Sequence, residues 1–137
     1  MKRVYVDRAR NGKGVFARKD IKKGDVVFVC RGKLIKYSPN RPYTPASYIG
    51  PHWLGIGNSI WLKVDRKNPL WYLNHSCNPN CGFSDAVKIV AMKNIKKGEE
   101  ITIDYSITEE DPYWKLKCNC GSNNCRKTIR SIHFLPE

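Results

Sequence analysis

Three cysteines fall within eight residues, Cys118-Asn119-Cys120-Gly121-Ser122-Asn123-Asn124-Cys125, and no other feature of the chain restricts its fold as tightly. Buried structural cysteines usually sit among apolar neighbours. These stand beside Asn, Gly, Ser and Lys, where ligation of a metal accounts for three thiols in a polar loop. A disulfide framework is the alternative and fits an intracellular chain poorly. A structural zinc takes four ligands in a tetrahedron, so the fourth must come from elsewhere. Cys77, Cys81, His75 and His133 are the candidates. A ligand distant in sequence staples the tail onto the body and makes metal binding and folding of the tail one event.

The rest of the chain reads as short strands. Val26–Val29, Ile60–Val64, Ala86–Ala91 and Ile101–Tyr105 are rich in β-branched residues and closed by Gly, Pro, Asn or Lys. Residues 37–58 carry four prolines and three glycines, which excludes a long helix and predicts an irregular insert. Ala17-Arg18-Lys19-Asp20-Ile21-Lys22-Lys23-Gly24-Asp25 is echoed by Ala91-Met92-Lys93-Asn94-Ile95-Lys96-Lys97-Gly98-Glu99. Both copies read as one turn built twice: an Ile dips into the core, then two solvated lysines lead to a glycine free to take positive φ. At 137 residues and 41% hydrophobic content the chain suits one core. With no run of about 18 apolar residues and no apolar stretch at the start, it is expected to be soluble and intracellular, without a membrane segment.

Lys and Arg outnumber Asp and Glu by 25 to 12. Residues 1–41 hold 13 basic and 3 acidic side chains, and residues 42–112 hold 7 and 8. The basic N-terminal third is therefore a candidate contact for nucleic acid or another polyanion.

Three further strings carry chemistry: Asn11-Gly12-Lys13-Gly14-Val15-Phe16-Ala17, Asn74-His75-Ser76-Cys77-Asn78-Pro79-Asn80 and Gly98-Glu99-Glu100-Ile101-Thr102-Ile103-Asp104-Tyr105. The first brings backbone close to a ligand through two glycines, the second is dense in hydrogen-bonding side chains, and the third ends a strand in an acid and a tyrosine. In this order, ahead of C-x-C-x4-C, they resemble the SET-domain protein-lysine methyltransferases in a minimal form with a cysteine-rich post-SET segment. The resemblance covers nearly the whole chain.

It implies a mainly β, β-clip fold of small curved sheets with a knot-like threaded C-terminal segment, divided into a SET domain at 1–112 and a zinc-binding post-SET segment at 113–137. Asn11, Gly12, Lys13 and Gly14 are then expected to meet the methionine end of S-adenosylmethionine. Asn74 and His75 should hold that cofactor through polar contacts, and Tyr105 should be the catalytic tyrosine, also in contact with cofactor. Cys77 joins Cys118, Cys120 and Cys125 on zinc, leaving Cys81 and Cys30 without a metal role. The implied partner is a basic, lysine-bearing protein tail such as a histone. The implied workplace is nucleus or chromatin in a eukaryote or host, or a prokaryotic cytoplasm.

The sequence departs from the family at several points. Cys30-Arg31-Gly32 stands where the family has Y-x-G, so Cys30 replaces a tyrosine of the lysine channel; Tyr37, Tyr43 or Tyr48 could fill the space. Ile103, two before Tyr105, brings no hydroxyl to that channel and favours di- or trimethylation. Trp71 replaces an arginine, so the cofactor carboxylate needs another cation, and Lys13 is the candidate. Trp114, Ile129 and Phe134 are candidates for a lid over the adenine, and Glu109-Glu110-Asp111 for drawing in a basic peptide. The competing reading is a catalytically weak or inactive SET-like zinc module that binds nucleic acid or a protein partner.

Overall fold

The structure, a computed structural model, describes residues 3–36, 60–108 and 115–130 and the backbone of 53–57. Alternating apolar residues build four small sheets. The first contains β1 (Val4–Ala9), β2 (Gly12–Ala17), β7 (Asn74–His75) and β10 (Glu100–Ile103), in the order β1-β2-β10-β7. The second is β3 (Val26–Val29), β9 (Lys88–Ala91) and β8 (Cys81–Ser84); the third is β4 (Gly32–Lys36), β6 (Ile60–Val64) and β5 (Trp53–Gly57). The C-terminal pair is β11 (Lys115–Lys117) with β12 (Thr128–Arg130). Among the described residues no helix is long and apolar enough to cross a membrane.

The period of two along β10 decides what faces where. Ile101 and Ile103 are 0% and 3% exposed and enter the core with Val15, Ile89 and Leu73, while Glu100 and Thr102 line a surface cavity. β10 lies antiparallel to β2 and parallel to β7, with Thr102 beside Asn74 and Ile103 beside His75. The Asn80 amide closes the same region, donating to Glu100 O at 2.8 Å and accepting from Thr102 N at 3.0 Å. The chain leaving β10 crosses over the chain entering β7: Tyr105 Oη donates to Leu73 O, and Tyr105 N donates to His75 Nδ1. This crossing unites the two motif strings.

The echoed segments pair with each other. Ile21 and Ile95, each 1% exposed, exchange backbone hydrogen bonds of 2.8 Å in both directions. Gly24 N donates to Ala91 O and Gly98 N to Ala17 O, both at 2.8 Å, with φ of 92° and 88°. Asn94 Oδ1 accepts from Lys23 N, and Asp20 Oδ1 from Lys97 N, both at 2.9 Å. The two copies thus form a local two-fold clasp joining the first sheet to the second.

Three expected elements shift. The strand expected at Ala86 begins at Lys88, because Asp85 and Ala86 take φ of 52° and 64° in the turn from β8. The strand expected to reach Tyr105 stops at Ile103, because the Asp104 side chain accepts from Ser106 N at 3.0 Å and opens a 3-10 turn over Tyr105–Thr108. Within the expected insert, Trp53–Gly57 forms a strand on β6, whose register shifts between Gly55 and Gly57. The remainder of that insert, with Tyr37, Tyr43 and Tyr48, lies outside the described residues, as do Glu109-Glu110-Asp111, Trp114, His133 and Phe134.

Candidate active site and metal centre

The four thiols of Cys77, Cys118, Cys120 and Cys125 converge, with all sulfurs within 4.8 Å of one another. Cys118 Sγ lies 3.9 Å from Cys77 Sγ and 3.8 Å from Cys125 Sγ. A tetrahedron of thiolates about 2.3 Å from a metal has edges of about 3.8 Å, so the spacing fits a metal and is far from a disulfide bond. Donors are aimed at the sulfurs. Arg126 N and Nε point at Cys77 Sγ from 3.3 and 3.4 Å, and Cys77 N points at Cys120 Sγ from 3.5 Å. At Cys120 burial opposes ionisation, but the Cys77 N–H and the Ser122 hydroxyl outweigh it and bring that thiol down to about 5. Of the other candidates, Cys81 is 0% exposed in β8, away from the cluster, and His133 lies outside the described residues; burial pushes the thiols of Cys81 and of Cys30, which is 5% exposed, up to about 12.

Beside the cysteines lies a cavity of about 290 Å³. Its body side is Asn74, His75, Glu100 and Tyr105, and its clip side is Leu116, Cys118, Asn119 and Ile129. The tip of the β1–β2 hairpin forms the rim and is tied to the clip by Arg10 Nε donating to Asn119 O and Asn11 Nδ2 donating to Asn119 Oδ1, both at 2.8 Å.

Asn74 Nδ2 donates to Lys13 O at 3.0 Å and to Glu100 Oε2 at 2.8 Å. Gly14 makes room for this: a Cβ there would collide with the Glu100 carboxylate and with Ala9. Gly12, at φ 92°, turns the hairpin. Lys13 contributes its carbonyl, while its ammonium sits 5.8 Å over the Tyr72 ring and is not part of the cavity wall.

His75 Nδ1 accepts the Tyr105 N–H at 3.0 Å, so the ring proton is on Nε2, which points at Cys77 Sγ from 3.3 Å. Asp104 Oδ1 is 3.7 Å from that Nδ1, but with Nδ1 unprotonated this is no ion pair. Burial lowers the His75 pKa, and the opposing pull of Asp104 is countered by Arg126. Arg126 Nη2 holds Asp104 at 2.7 Å, so one guanidinium touches both the cysteine cluster and the residue preceding Tyr105. The Tyr105 hydroxyl donates to Leu73 O at 2.5 Å, and burial, helped by Glu100, raises its pKa to about 12.

The structure therefore brings together Asn11, Asn74, His75, Tyr105 and the four clustered cysteines. Cys30 and Ile103, expected at the lysine channel rather than at the cofactor, are buried in the hydrophobic core and are not part of this cavity's wall. Trp71 carries the Arg66 guanidinium 5.6 Å over its ring. Sequence reasoning missed Arg10, Glu100, Leu116, Lys117, Asn119 and Arg126. Glu100 lay inside a motif string and alternates with Ile101, which was a usable signal; the others meet the site only through the fold of the clip.

The sequence pattern of the SET domain matches residues 12–106. The histone-lysine N-methyltransferase trithorax of Drosophila virilis is 34% identical over 131 residues, covering 87% of this chain and 3% of its own length. Human histone-lysine N-methyltransferase 2D is 35% identical over 136 residues, covering 90% of this chain and 2% of its own. The chain thus spans a small fraction of these curated relatives. A crystal structure of a Plasmodium falciparum protein provisionally assigned as a histone methyltransferase superposes with TM-score 0.55 at 26% identity, covering 77% of this chain and 94% of that one.

Proposed function

The chain belongs to the SET-domain family, and on that premise we propose that it is a protein-lysine methyltransferase that uses S-adenosylmethionine and acts on a lysine of a histone or similar basic protein. The observation that carries the reading is the cavity joining Asn74, His75 and Tyr105 to the cysteine clip. S-adenosylmethionine supplies there a methyl group on a sulfonium, an electrophile that needs no covalent help from the protein.

In this reading Asn74 and His75 hold the cofactor by polar contacts, and the Asn11–Gly14 turn meets its methionine end. Arg10 and Lys117, both at the cavity wall, supply the cation for its carboxylate in preference to Lys13. Leu116 and Ile129 offer the apolar cover. The clip metal is zinc, for which four thiolates at tetrahedral spacing are suited. Cys77, Cys118, Cys120 and Cys125 would hold it, and it would tie the clip to the body beside Arg126.

Tyr105 is the catalytic residue. With its pKa at about 12 the phenol stays neutral near physiological pH, so it orients the reacting groups as a dipole. An oxygen that donates to Leu73 O can still accept a hydrogen bond. The substrate amine must be neutral to attack, and a dry channel lowers its pKa. Cys30 and Ile103 border that channel, where the aliphatic Ile103 allows di- or trimethylation. Holding the reactants in line is worth several kcal/mol, roughly 7–11 at best. Such an enzyme works at chromatin in a nucleus, or in the cytoplasm of a prokaryote. The human and fly relatives, named for histone-lysine transfer, support the substrate class.

Equilibrium dialysis with labelled S-adenosylmethionine tests the cavity directly. One saturable site is expected, weakened about tenfold in Asn74→Ala through loss of one hydrogen-bonding side chain. Absence of saturable binding to metal-loaded protein would sink the reading.

A further inference from the structure

The clasp between the two echoed segments brings the exposed Lys19, Lys22 and Lys23 alongside the exposed Lys93, Lys96 and Lys97. The antiparallel bridge sets Lys22 and Lys23 opposite the Lys93-Asn94 end of the second copy, and Lys96 and Lys97 opposite the Lys19-Asp20 end of the first. Among the described residues none of these six lysines forms an ion pair. Of the acids in the two segments, Asp25 pairs with Arg3 at 3.1 Å, Asp20 accepts the Lys97 backbone N–H, and Glu99 is exposed and forms no ion pair with these lysines. Lys93 Nζ reaches only the neutral Asn78 Oδ1, at 3.4 Å. Six lysines against the exposed Asp20 and Glu99 leave this face with an excess of positive charge, and a polyanion laid across it relieves the repulsion among the lysines.

We propose that the paired Lys-Lys-Gly turns form a binding surface for the phosphate backbone of double-stranded nucleic acid. Lysines act as point charges on phosphates, giving affinity without sequence preference. The two segments hold six lysines, no aromatic residue and a single arginine, Arg18, whose guanidinium sits over the Tyr5 ring, so they lack most of the anchors that protein interfaces favour and fit a phosphate backbone better than an acidic protein. The inference places the polyanion contact in a surface shared by both halves of the chain, where sequence alone pointed to the N-terminal third. It deepens the proposed function, since histones wrap DNA through its backbone and a second contact would hold the enzyme beside its target. The binding itself does not require the transfer reaction.

The test uses the full, metal-loaded chain and a short fluorescent DNA duplex, with affinity followed against salt. Lys22→Glu with Lys23→Glu, and separately Lys96→Glu with Lys97→Glu, are each expected to weaken binding about tenfold and to lower the log–log salt slope by about two. Methyl transfer to a free histone-tail peptide should be unchanged in both. Lys33→Glu with Lys63→Glu, two exposed lysines facing each other across β4 and β6, is the equal-charge control and should lose much less. If a glutamate variant fails to fold, the corresponding Gln pair replaces it.

Equal losses in all three double variants would reduce the effect to net charge and overturn the surface. Unchanged duplex binding in both turn variants would overturn it too. So would an acidic polypeptide displacing the duplex at matched charge, which would mark the face as a protein contact. Duplex binding lost with transfer intact, or transfer absent with duplex binding intact, separates this inference from the proposed function.

Discussion

At the scale of single residues, Tyr105 and Arg126 do the most to shape the site. Tyr105 has a folded pKa of about 12, against about 10 for an unfolded tyrosine. The folded state therefore holds the phenolic proton more tightly. The stability this confers is fully present below about pH 10 and is lost as pH rises towards about 12. Urea denaturation of wild type and Tyr105→Phe should show their stability difference shrinking across that window and flat below it. A difference that starts to change near pH 8 would contradict the burial of this phenol. Arg126 spans Cys77 Sγ and Asp104 Oδ1, whose carboxylate side chain is only 12% exposed. Arg126→Met strands that carboxylate, with an expected loss of about 1.5–3 kcal/mol in urea denaturation. Arg126→Lys should recover part of it, since a lysine reaches one partner but not both. Equal stability of all three proteins would remove Arg126 from the account.

Among the elements, the clip and the clasp show what the sequence told and what it could not. The Cys118–Cys125 spacing announced a metal centre and left its fourth ligand open among four residues; the chain crossing that brings Cys77 to the clip closes the choice among the described residues. The two Ile-Lys-Lys-Gly copies were legible as a repeated turn, with both isoleucines buried and both glycines at positive φ. That the copies bind each other was not legible, because backbone pairing between distant segments leaves no local periodicity. β10 ended early for a related reason: Asp104 reads as a strand residue by position, but its side chain caps the following turn. Metal removal is an expected outcome at this scale. With a strong chelator, four thiols should become reactive to a thiol reagent, because the clip has no other tie of comparable strength. Cys30 and Cys81 should stay silent until the whole chain unfolds. Six thiols reacting together would mean that the body cannot fold without the metal, and none reacting would mean that the cluster does not hold one.

For the whole molecule, three small sheets share one core among the described residues, the β11–β12 pair stands outside it, and the functional residues collect where the first sheet meets the clip. The motif strings gave this site in outline: Asn74, His75 and Tyr105 were named from sequence, and the fold brings them to one cavity wall. On the opposite wall Ile129 was named as a lid candidate, while Leu116 was hidden, since it belongs to a short strand pair with little pattern of its own. Cys30 and Ile103, expected at the lysine channel, are buried in the core on the far side of β10 from the residues that line this cavity. The central claim is lysine methylation directed by Tyr105. It is tested most directly by labelled methyl transfer from S-adenosylmethionine to core histones, with wild type beside Tyr105→Phe. The account predicts label on histone lysine and a fall of about a hundredfold or more in the variant. Wild-type protein that binds metal and cofactor yet labels no lysine, or a variant that labels as fast as wild type, would contradict it.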